Sequence, residues 1–376
     1  MTAIISDTIL KQIADRAPQL DADNQFCAAD IELLKEAGYL SAFTPTQLGG
    51  AGLAATEVSR LQRRLAQAAP ATALAVNMHQ VWVGVARSLF EQGDKSLEWV
   101  LKEAAAGEIF AFGISEPGND VVLLDAKTTA DKNADGYLIS GTKVFTTLSP
   151  AWTRLGLHAR CGDRLIFGFV ERDAAGKISN PGEWNPVGMR ATHSYTTVLE
   201  DVQMRNSRVV RDIAPYEASD LLVGAIFANF SLLTASVYQG LAERAIELAT
   251  TALQRAVTLM DGTETTAGAN ERRGADFAAA VLGQRAALNS LELLCAQLDS
   301  GELFNRPDAF LALAAAKNQI CDAAANTVEM ACAVSGTSAF QADSELARLR
   351  RDVAAAQYHP TSAAGLLGTV RRFYGV

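Results

Sequence analysis

The hydrophobic period changes twice along this chain, and this change limits the possible fold more than any other feature. Residues 1–108 carry apolar residues at spacings of three and four, as in AADIELLKEAGYL, which indicates helices packed on other helices. Residues 109–212 are rich in Thr, Val, Phe and Tyr, with hairpin-type breaks at Asp135-Gly136 and Cys161-Gly162. Residues 213–376 return to long runs of Ala and Leu, interrupted by a polar segment at 261–276 that we expect to be a loop. This order predicts an α+β fold with an N-terminal α-helical domain, a central small β domain and a C-terminal helical bundle.

The composition indicates a globular protein in a reducing compartment. The chain is 49% hydrophobic and 20% charged, and its net charge of -9 argues against nucleic acid or an anionic membrane as a partner. Five cysteines form no CxxC pair, and the N-terminus lacks a signal-peptide pattern. The most apolar stretch, 221–233, contains Asn229 and Ser231 and is too short to span a bilayer. We therefore expect a cytoplasmic protein.

Common motifs for phosphate binding and nucleophilic catalysis are missing from the sequence. There is no GxGxxG after a strand, no GxxxxGK[ST] and no GxSxG. Four histidines are too scattered for metal-ligand spacing, so no metal site is predicted.

Five stretches are distinctive when taken together. They are GYLSAFTPTQLGGAGL (38–53), AFGISEPGND (111–120), GTKVFTTLSPAW (141–152), VGMRATHSYTTVLEDVQM (187–204) and VSGTSAFQADSELARLRRD (334–352). In order and spacing, over nearly the whole chain, they resemble the acyl-CoA dehydrogenase superfamily. The resemblance implies the family fold, in which the C-terminal domain is a four-helix bundle. It also implies a flavin-dependent oxidoreductase that binds FAD as a homotetramer or homodimer.

The same resemblance implies a set of cofactor-binding residues. A reduced flavin accumulates negative charge along one edge of its ring, where amides or hydroxyls donate hydrogen bonds. Four residues match family positions along the flavin ring: Phe112, Ser115, Phe145 and Thr147. By this match, Phe145 would stack near the ring and Thr147 would face N5. Gly336 and Thr337 match the turn that meets the FAD of a neighbouring subunit in the family. Ser362 matches a position near the adenosine part of FAD. In the alternative interpretation, the threonines are only strand formers and Phe145 is a core residue.

The sequence departs from the family pattern at the catalytic base. The family's glutamate lies nine residues after the arginine of an RDA motif, and counting from Arg351 places Pro360 there. The second position used by some members falls on Phe230, which we assign to the substrate side. The arginine-containing R-x-x-F-G stretch that meets the flavin pyrophosphate is also missing.

A histidine lies next to the lost base position. Relatives of the dibenzothiophene-monooxygenase type resemble this chain in carrying a histidine where His359 stands. Such an imidazole can donate a hydrogen bond or shuttle a proton while reduced flavin reacts with oxygen. His79 is the second predicted catalytic residue, because its helix borders the substrate cavity in relatives, and His193 and Tyr195 are predicted substrate contacts. Alternatively, His359 only caps the carbonyls of its helix.

Four functions remain open at this point. The first is an FAD enzyme acting on an acyl-CoA-type thioester or similar small acid derivative, with O2 as the expected flavin oxidant. The alternatives are a conventional acyl-CoA dehydrogenase with a relocated base and an electron-transfer partner, a two-component monooxygenase acting on a small aromatic or amine, and an inactive scaffold homologue. The retained Ser115 and Thr147 argue against the last.

Overall fold

Five helices precede the sheet in the computed structural model, which describes residues 4–259 and 267–375. They are α1 (Asp7–Ala22), α2 (Ala28–Glu36), α3 (Ala55–Ala68), α4 (Pro70–Glu91) and α5 (Glu98–Ala105). The hydroxyl of Ser6 caps α1 by accepting the amide of Ile9. Gly38 takes a positive φ of 79° just beyond α2 and ends that helix.

Eight strands form one mixed sheet in the middle of the chain. They are β1 (Phe110–Gly113), β2 (Thr129–Asn133), β3 (Gly136–Thr146), β4 (Arg154–Cys161), β5 (Arg164–Glu171), β6 (Lys177–Ser179), β7 (Tyr195–Arg205) and β8 (Val209–Ile213). Their order is β6-β7-β3-β2-β4-β5-β8, and β1 pairs in parallel with β4. Both predicted hairpins are present, β2–β3 at Asp135-Gly136 and β4–β5 at Cys161-Gly162.

The C-terminal region is helical and completes the predicted α+β arrangement, which is confirmed. Its helices are α6 (Leu221–Leu259), α7 (Ala267–Asp299), α8 (Ala309–Ser335), α9 (Glu345–Val353) and α10 (Ala363–Tyr374). The prediction of a loop at 261–276 is wrong for residues 267–276, which belong to α7, and residues 260–266 lie outside the described part of the chain.

Helix α6 is the central helix of this region. Its segment Leu221–Gln254 has 34 residues and is apolar enough to span a membrane, so the expectation that this stretch is too short was wrong. The helix continues beyond Leu233, and 83% of its most apolar window is buried inside the protein. It lies very close to α4, since a Cβ on Gly84 would come within 2.3 Å of the Oδ1 of Asn229.

Trp82 of α4 fixes the position of β1. Its indole Nε1 donates to the carbonyl of Ala111 over 3.0 Å, and its ring packs on Phe112 at 5.4 Å between centroids. The indole lies directly over Gly156 of β4, where a Cβ would be 2.3 Å away. Glycine at this position therefore allows the helix to rest on the sheet.

A buried ion pair joins the loop after β1 to β3. The Oε1 of Glu116 lies 2.8 Å from Nζ of Lys143, and both side chains are fully buried. The carboxylate also accepts the amides of Lys127 and Thr128. Lys143 donates in addition to the carbonyl of His158 over 2.8 Å. Burial opposes the ionisation of Glu116, but Lys143 and these amides lower its pKa to about 2.

The buried imidazole of His79 links α4, β1 and the turn after α2 through hydrogen bonds. Its Nε2 lies 2.7 Å from the carbonyl of Leu40, and the amide of Phe110 donates to its Nδ1 over 3.1 Å. Burial lowers the pKa of His79 to about 4, so the imidazole is neutral near pH 7. Both ring nitrogens are thus occupied by backbone groups, which favours a structural role over the predicted catalytic one.

We expect Lys143→Met to lower the free energy of unfolding by about 3–5 kcal/mol, because it leaves the Glu116 carboxylate buried without its partner. Lys177→Met is the matched control, since the Lys177–Glu200 pair on the same sheet is more than half exposed on both sides. That change should cost less than about 1 kcal/mol. Denaturant unfolding measures both, and equal losses would contradict the assigned importance of the buried pair.

The depressed pKa of His79 predicts an acid-dependent loss of stability. The unfolded chain binds a proton at His79 near pH 6.5 and the folded chain only near pH 4, so stability falls as the pH drops through this window. The contribution of this residue is about 3 kcal/mol at ~1.4 kcal/mol per pKa unit. In His79→Leu, the difference in unfolding free energy from the wild type should shrink between pH 7 and pH 4. A difference that stays constant with pH would show that His79 does not titrate in this way.

Candidate functional site

Phe145 lies in an unusual conformation at the end of β3. Its φ is +55°, a left-handed value that a bulky residue rarely adopts, and the pairing of β3 with β7 is irregular between Lys143 and Thr146. The phenyl ring is 61% exposed, so the alternative that Phe145 is a core residue is wrong. Strain of this kind is typical of functional sites. The bulge presents an unpartnered aromatic face at the surface predicted to stack near the flavin.

A chain of three buried hydroxyls begins at Thr147, two residues after Phe145. The Oγ1 of Thr147 is 2.8 Å from the Oγ of Ser194, which is itself 2.8 Å from the Oγ1 of Thr192. Three hydroxyl hydrogens serve two hydrogen bonds, so one hydrogen remains for donation. The neighbouring Thr146 adds a buried hydroxyl that has no partner among the described residues. Sequence reasoning identified Thr147 but missed Ser194 and Thr192.

An aromatic face joins β1 to α6. The ring of Phe230 stacks on that of Phe112 with centroids 5.3 Å apart and planes 22° apart. The imidazole of His359 meets the same Phe230 edge-on at 6.4 Å. The structure therefore brings together Phe112, Phe230 and His359, which the sequence predicted separately. Ser115 lies one residue before the buried Glu116, and its carbonyl accepts the amide of Val144.

His359 is held by α6 and α8. The hydroxyl of Tyr238 lies 2.7 Å from its Nε2, and Nζ of Lys317 donates to its carbonyl over 3.1 Å. Burial, reinforced by the charge of Lys317, lowers the pKa of His359 to about 3. The ring bonds Tyr238 rather than the last carbonyls of its own helix, so the alternative of a helix cap is wrong.

The predicted base positions contain no ionisable group. Phe230 occupies one, and Pro360 the other. Arg351 and Asp352 contact other parts of the chain. Asp352 accepts the amide of Met189, in the loop before β7, over 2.5 Å. Arg351 pairs with Asp21 of α1. Burial raises the pKa of Asp352 to about 7.

His193 and Tyr195 form a separate aromatic group with Phe26. The ring of His193 lies 5.6 Å from Phe26 and 5.5 Å from Tyr195, and its Nε2 donates to the carbonyl of Asn24 over 3.0 Å. Burial lowers the pKa of His193. These contacts fix the backbone on both sides of Ser194, and the role of His193 and Tyr195 in substrate binding stays a prediction.

The residues predicted to contact the FAD of a neighbouring subunit and its adenosine lie near the C-terminus of the chain. Gly336 has a φ of +65° and begins an exposed turn that contains Thr337 and the 87% exposed Phe340. Ser362 accepts the amide of Gly365 over 3.3 Å and caps α10. The turn has exposed surface for a second subunit, whereas the Ser362 hydroxyl already has a structural function.

The similarity to known proteins is consistent along the chain. Residues 3–107 match the family model of the acyl-CoA dehydrogenase N-terminal domain. The chain is 26% identical over 369 residues to Putative acyl-CoA dehydrogenase YdbM of Bacillus subtilis (strain 168), which covers 94% of this chain and 91% of that protein. It is also 26% identical to L-evernosamine nitrososynthase of Micromonospora, but over only 64% of this chain and 58% of that protein.

Solved structures share the fold at low sequence identity. KijD3 in complex with dTDP has a TM-score of 0.83 and 23% identity, over 98% of this chain and 95% of that one. Dibenzothiophene monooxygenase TdsC from Paenibacillus has a TM-score of 0.79 and 17% identity, also over 98% and 95%. Butyryl-CoA dehydrogenase from Megasphaera elsdenii has a TM-score of 0.82 and 17% identity, over 100% and 99%. Residues 3–107 therefore match the N-terminal domain of the acyl-CoA dehydrogenases, and the chain as a whole shares their fold, as its five sequence stretches predict.

Proposed function

We propose that this protein is an oxygen-using flavin monooxygenase. The observation that carries the proposal is the neutral imidazole of His359, beside positions where Phe230 and Pro360 replace the carboxylate base of dehydrogenases. Relatives with matching folds support it, since TdsC is named a dibenzothiophene monooxygenase and another match is a nitrososynthase.

The residues at the end of β3 fit a flavin ring. The exposed face of Phe145 offers a stacking surface, and the Thr147–Ser194–Thr192 chain has one hydrogen left to donate. The unpartnered Oγ1 of Thr146 is a further polar group for a ligand. When bound and reduced, the flavin supplies the two electrons that activate O2.

His359 is suited to donate a hydrogen bond and poorly suited to remove a proton. An effective general base has a pKa near the working pH, whereas burial and Lys317 lower that of His359 to about 3. A neutral imidazole still carries one N–H, which it presents over the whole neutral range. We therefore propose that the N–H of His359 donates a hydrogen bond that holds the reacting oxygen beside the substrate.

A small aromatic or amine-bearing molecule is the substrate class that we propose. The Phe112–Phe230 pair offers an apolar face, and TdsC has been solved with FMN and indole. KijD3 has been solved with FMN and an amino-sugar nucleotide. Reduced flavin would then come from a partner reductase.

Thioester dehydrogenation is the second candidate. The match to YdbM over 94% of the chain favours it, and CoA thioesters were the first expectation from the sequence. Because Phe230 and Pro360 occupy the two family base positions, this reaction would require a different base. It would also require an electron-transfer partner. Anaerobic flavin bleaching by a panel of acyl-CoA thioesters would support this candidate.

For the flavin itself we propose FAD, completed by a second subunit in a homotetramer or homodimer. The exposed Gly336–Phe340 turn supports this, because it presents backbone and the Thr337 hydroxyl to a neighbour. FMN is the competing possibility, since it is the flavin in two matching structures.

His359→Ala should separate the two candidates. We expect flavin affinity to stay within about twofold, while the ratio of hydrogen peroxide to oxygenated product rises on the order of a hundredfold, the lower range for the loss of one preorganised hydrogen-bond donor. In the wild type this ratio should be constant from pH 6 to pH 8, because His359 does not titrate there. Peroxide and product are quantified after single turnovers with reduced flavin.

Tyr358→Ala serves as the control, because Tyr358 is adjacent to His359 in the sequence but is 71% exposed and has no assigned role in the site. It should leave the peroxide ratio near the wild-type value. Unchanged coupling in His359→Ala would contradict the proposed role, and a collapse of anaerobic reduction by thioester would favour dehydrogenation.

Thr337→Trp tests the choice of flavin. If the turn meets adenosine across a subunit interface, the bulky ring should weaken FAD binding at least tenfold and leave FMN binding unchanged. Ser338→Trp, in the same exposed turn, is the control for general effects on assembly. Titration calorimetry gives both affinities, and equal effects on FAD and FMN would argue against the FAD proposal.

A further inference from the structure

We propose that Tyr238 is a positioning residue that fixes His359 in the tautomer with its hydrogen on Nδ1. The contact joins α6 to the segment after α9, across 121 residues of sequence, with 2.7 Å between the phenol oxygen and Nε2. The importance of this tautomer for catalysis rests on the proposed function. The assignment of the tautomer itself rests on the contacts that Tyr238 and Lys317 make with His359.

The direction of the hydrogen bond follows from what each group needs. Tyr238 is fully buried, and its hydroxyl has no other hydrogen-bond partner among the described residues. If the phenol donates to Nε2, its hydrogen is satisfied and Nε2 uses its lone pair. If Nε2 donated instead, the phenol hydrogen would remain buried without an acceptor, which is costly. Burial raises the pKa of Tyr238 well above its usual value, so this hydrogen is present at all relevant pH values.

Lys317 excludes the doubly protonated ring. Lys317 is 2% exposed, and its ammonium donates to the carbonyls of His359 and Thr361, at 3.1 and 2.8 Å. A positive charge fixed this close, in a buried environment, opposes a second positive charge on the imidazole. The same two bonds fix the backbone on both sides of Pro360. Tyr238 and Lys317 therefore leave only the neutral Nδ1–H form.

The remaining nitrogen is free to serve a ligand. Within residues 4–259 and 267–375, Nδ1 of His359 has no hydrogen-bond partner, and it is not among the buried polar atoms without one. The ring lies against Phe230, which stacks on Phe112. The Nδ1–H is thus a single donor beside an apolar face, which suits an oxygen atom of a bound molecule better than a cation.

Tyr238 was missed by sequence reasoning, although a signal exists. It lies eight residues after Phe230 on α6, so the two side chains share a face of the helix, and both contact His359. An aromatic pair at this spacing opposite a predicted catalytic histidine indicates a positioning role.

Magic-angle-spinning NMR of the flavin-free protein labelled with ¹⁵N-histidine tests the tautomer directly. His359→Ala assigns the signals of His359 among the four histidines. We expect a protonated Nδ1 and an unprotonated, hydrogen-bonded Nε2 in the wild type at pH 7. A protonated Nε2 would overturn the inference without the need for any further variant.

Tyr238→Phe then tests the positioning. It should shift His359 toward a mixture of tautomers and raise the peroxide-to-product ratio about tenfold, the effect of one lost hydrogen bond of ordinary strength. Tyr39→Phe is the matched control, because Tyr39 is equally buried and bonds Gln62, far along the chain from His359. Unchanged His359 signals in Tyr238→Phe would overturn the inference. Altered signals with unchanged coupling would support the tautomer assignment and contradict the oxygen-using function.

Discussion

The rest of the site depends on the buried ion pair between Glu116 and Lys143. One partner lies immediately after Ser115 in the loop that follows β1, and the other lies two residues before Phe145 on β3. Because each is fully buried, neither segment can move without exposing or isolating a charge. The pair thus fixes the strained Phe145 and the hydroxyl chain relative to the aromatic face of β1 and α6. A strained aromatic residue can persist only when its surroundings hold it so firmly.

A second constraint is electrostatic and acts on His359. His359 is kept neutral by burial and by Lys317, and it is bonded by Tyr238. A carboxylate base in this apolar surrounding would have to gain its own partners, whereas a neutral imidazole needs only one hydrogen bond. The replacement of the family base by Phe230 and Pro360 and the presence of a neutral donor are therefore two parts of one arrangement.

The sequence predicted what depends on local pattern. The helix and strand regions follow from hydrophobic period, and both hairpins follow from their turn dipeptides. It could not distinguish His79, tied to two backbone groups distant in sequence, from a catalytic histidine. The Tyr238–His359 contact was hidden for the same reason, because it forms only when α6 packs against the end of the chain. Tertiary contacts therefore decide the roles of residues whose positions the motifs indicate.

The most direct test of the oxygen-using account is a comparison of two half-reactions of the wild-type protein. Photoreduced flavin on the protein is mixed with air-saturated buffer in a stopped-flow instrument, and oxidised flavin on the protein is mixed anaerobically with acyl-CoA thioesters. The account predicts rapid reoxidation by O2 and no bleaching by thioesters, because His359 donates a hydrogen bond and does not take an α-proton. Slow reoxidation together with bleaching by any thioester would contradict it.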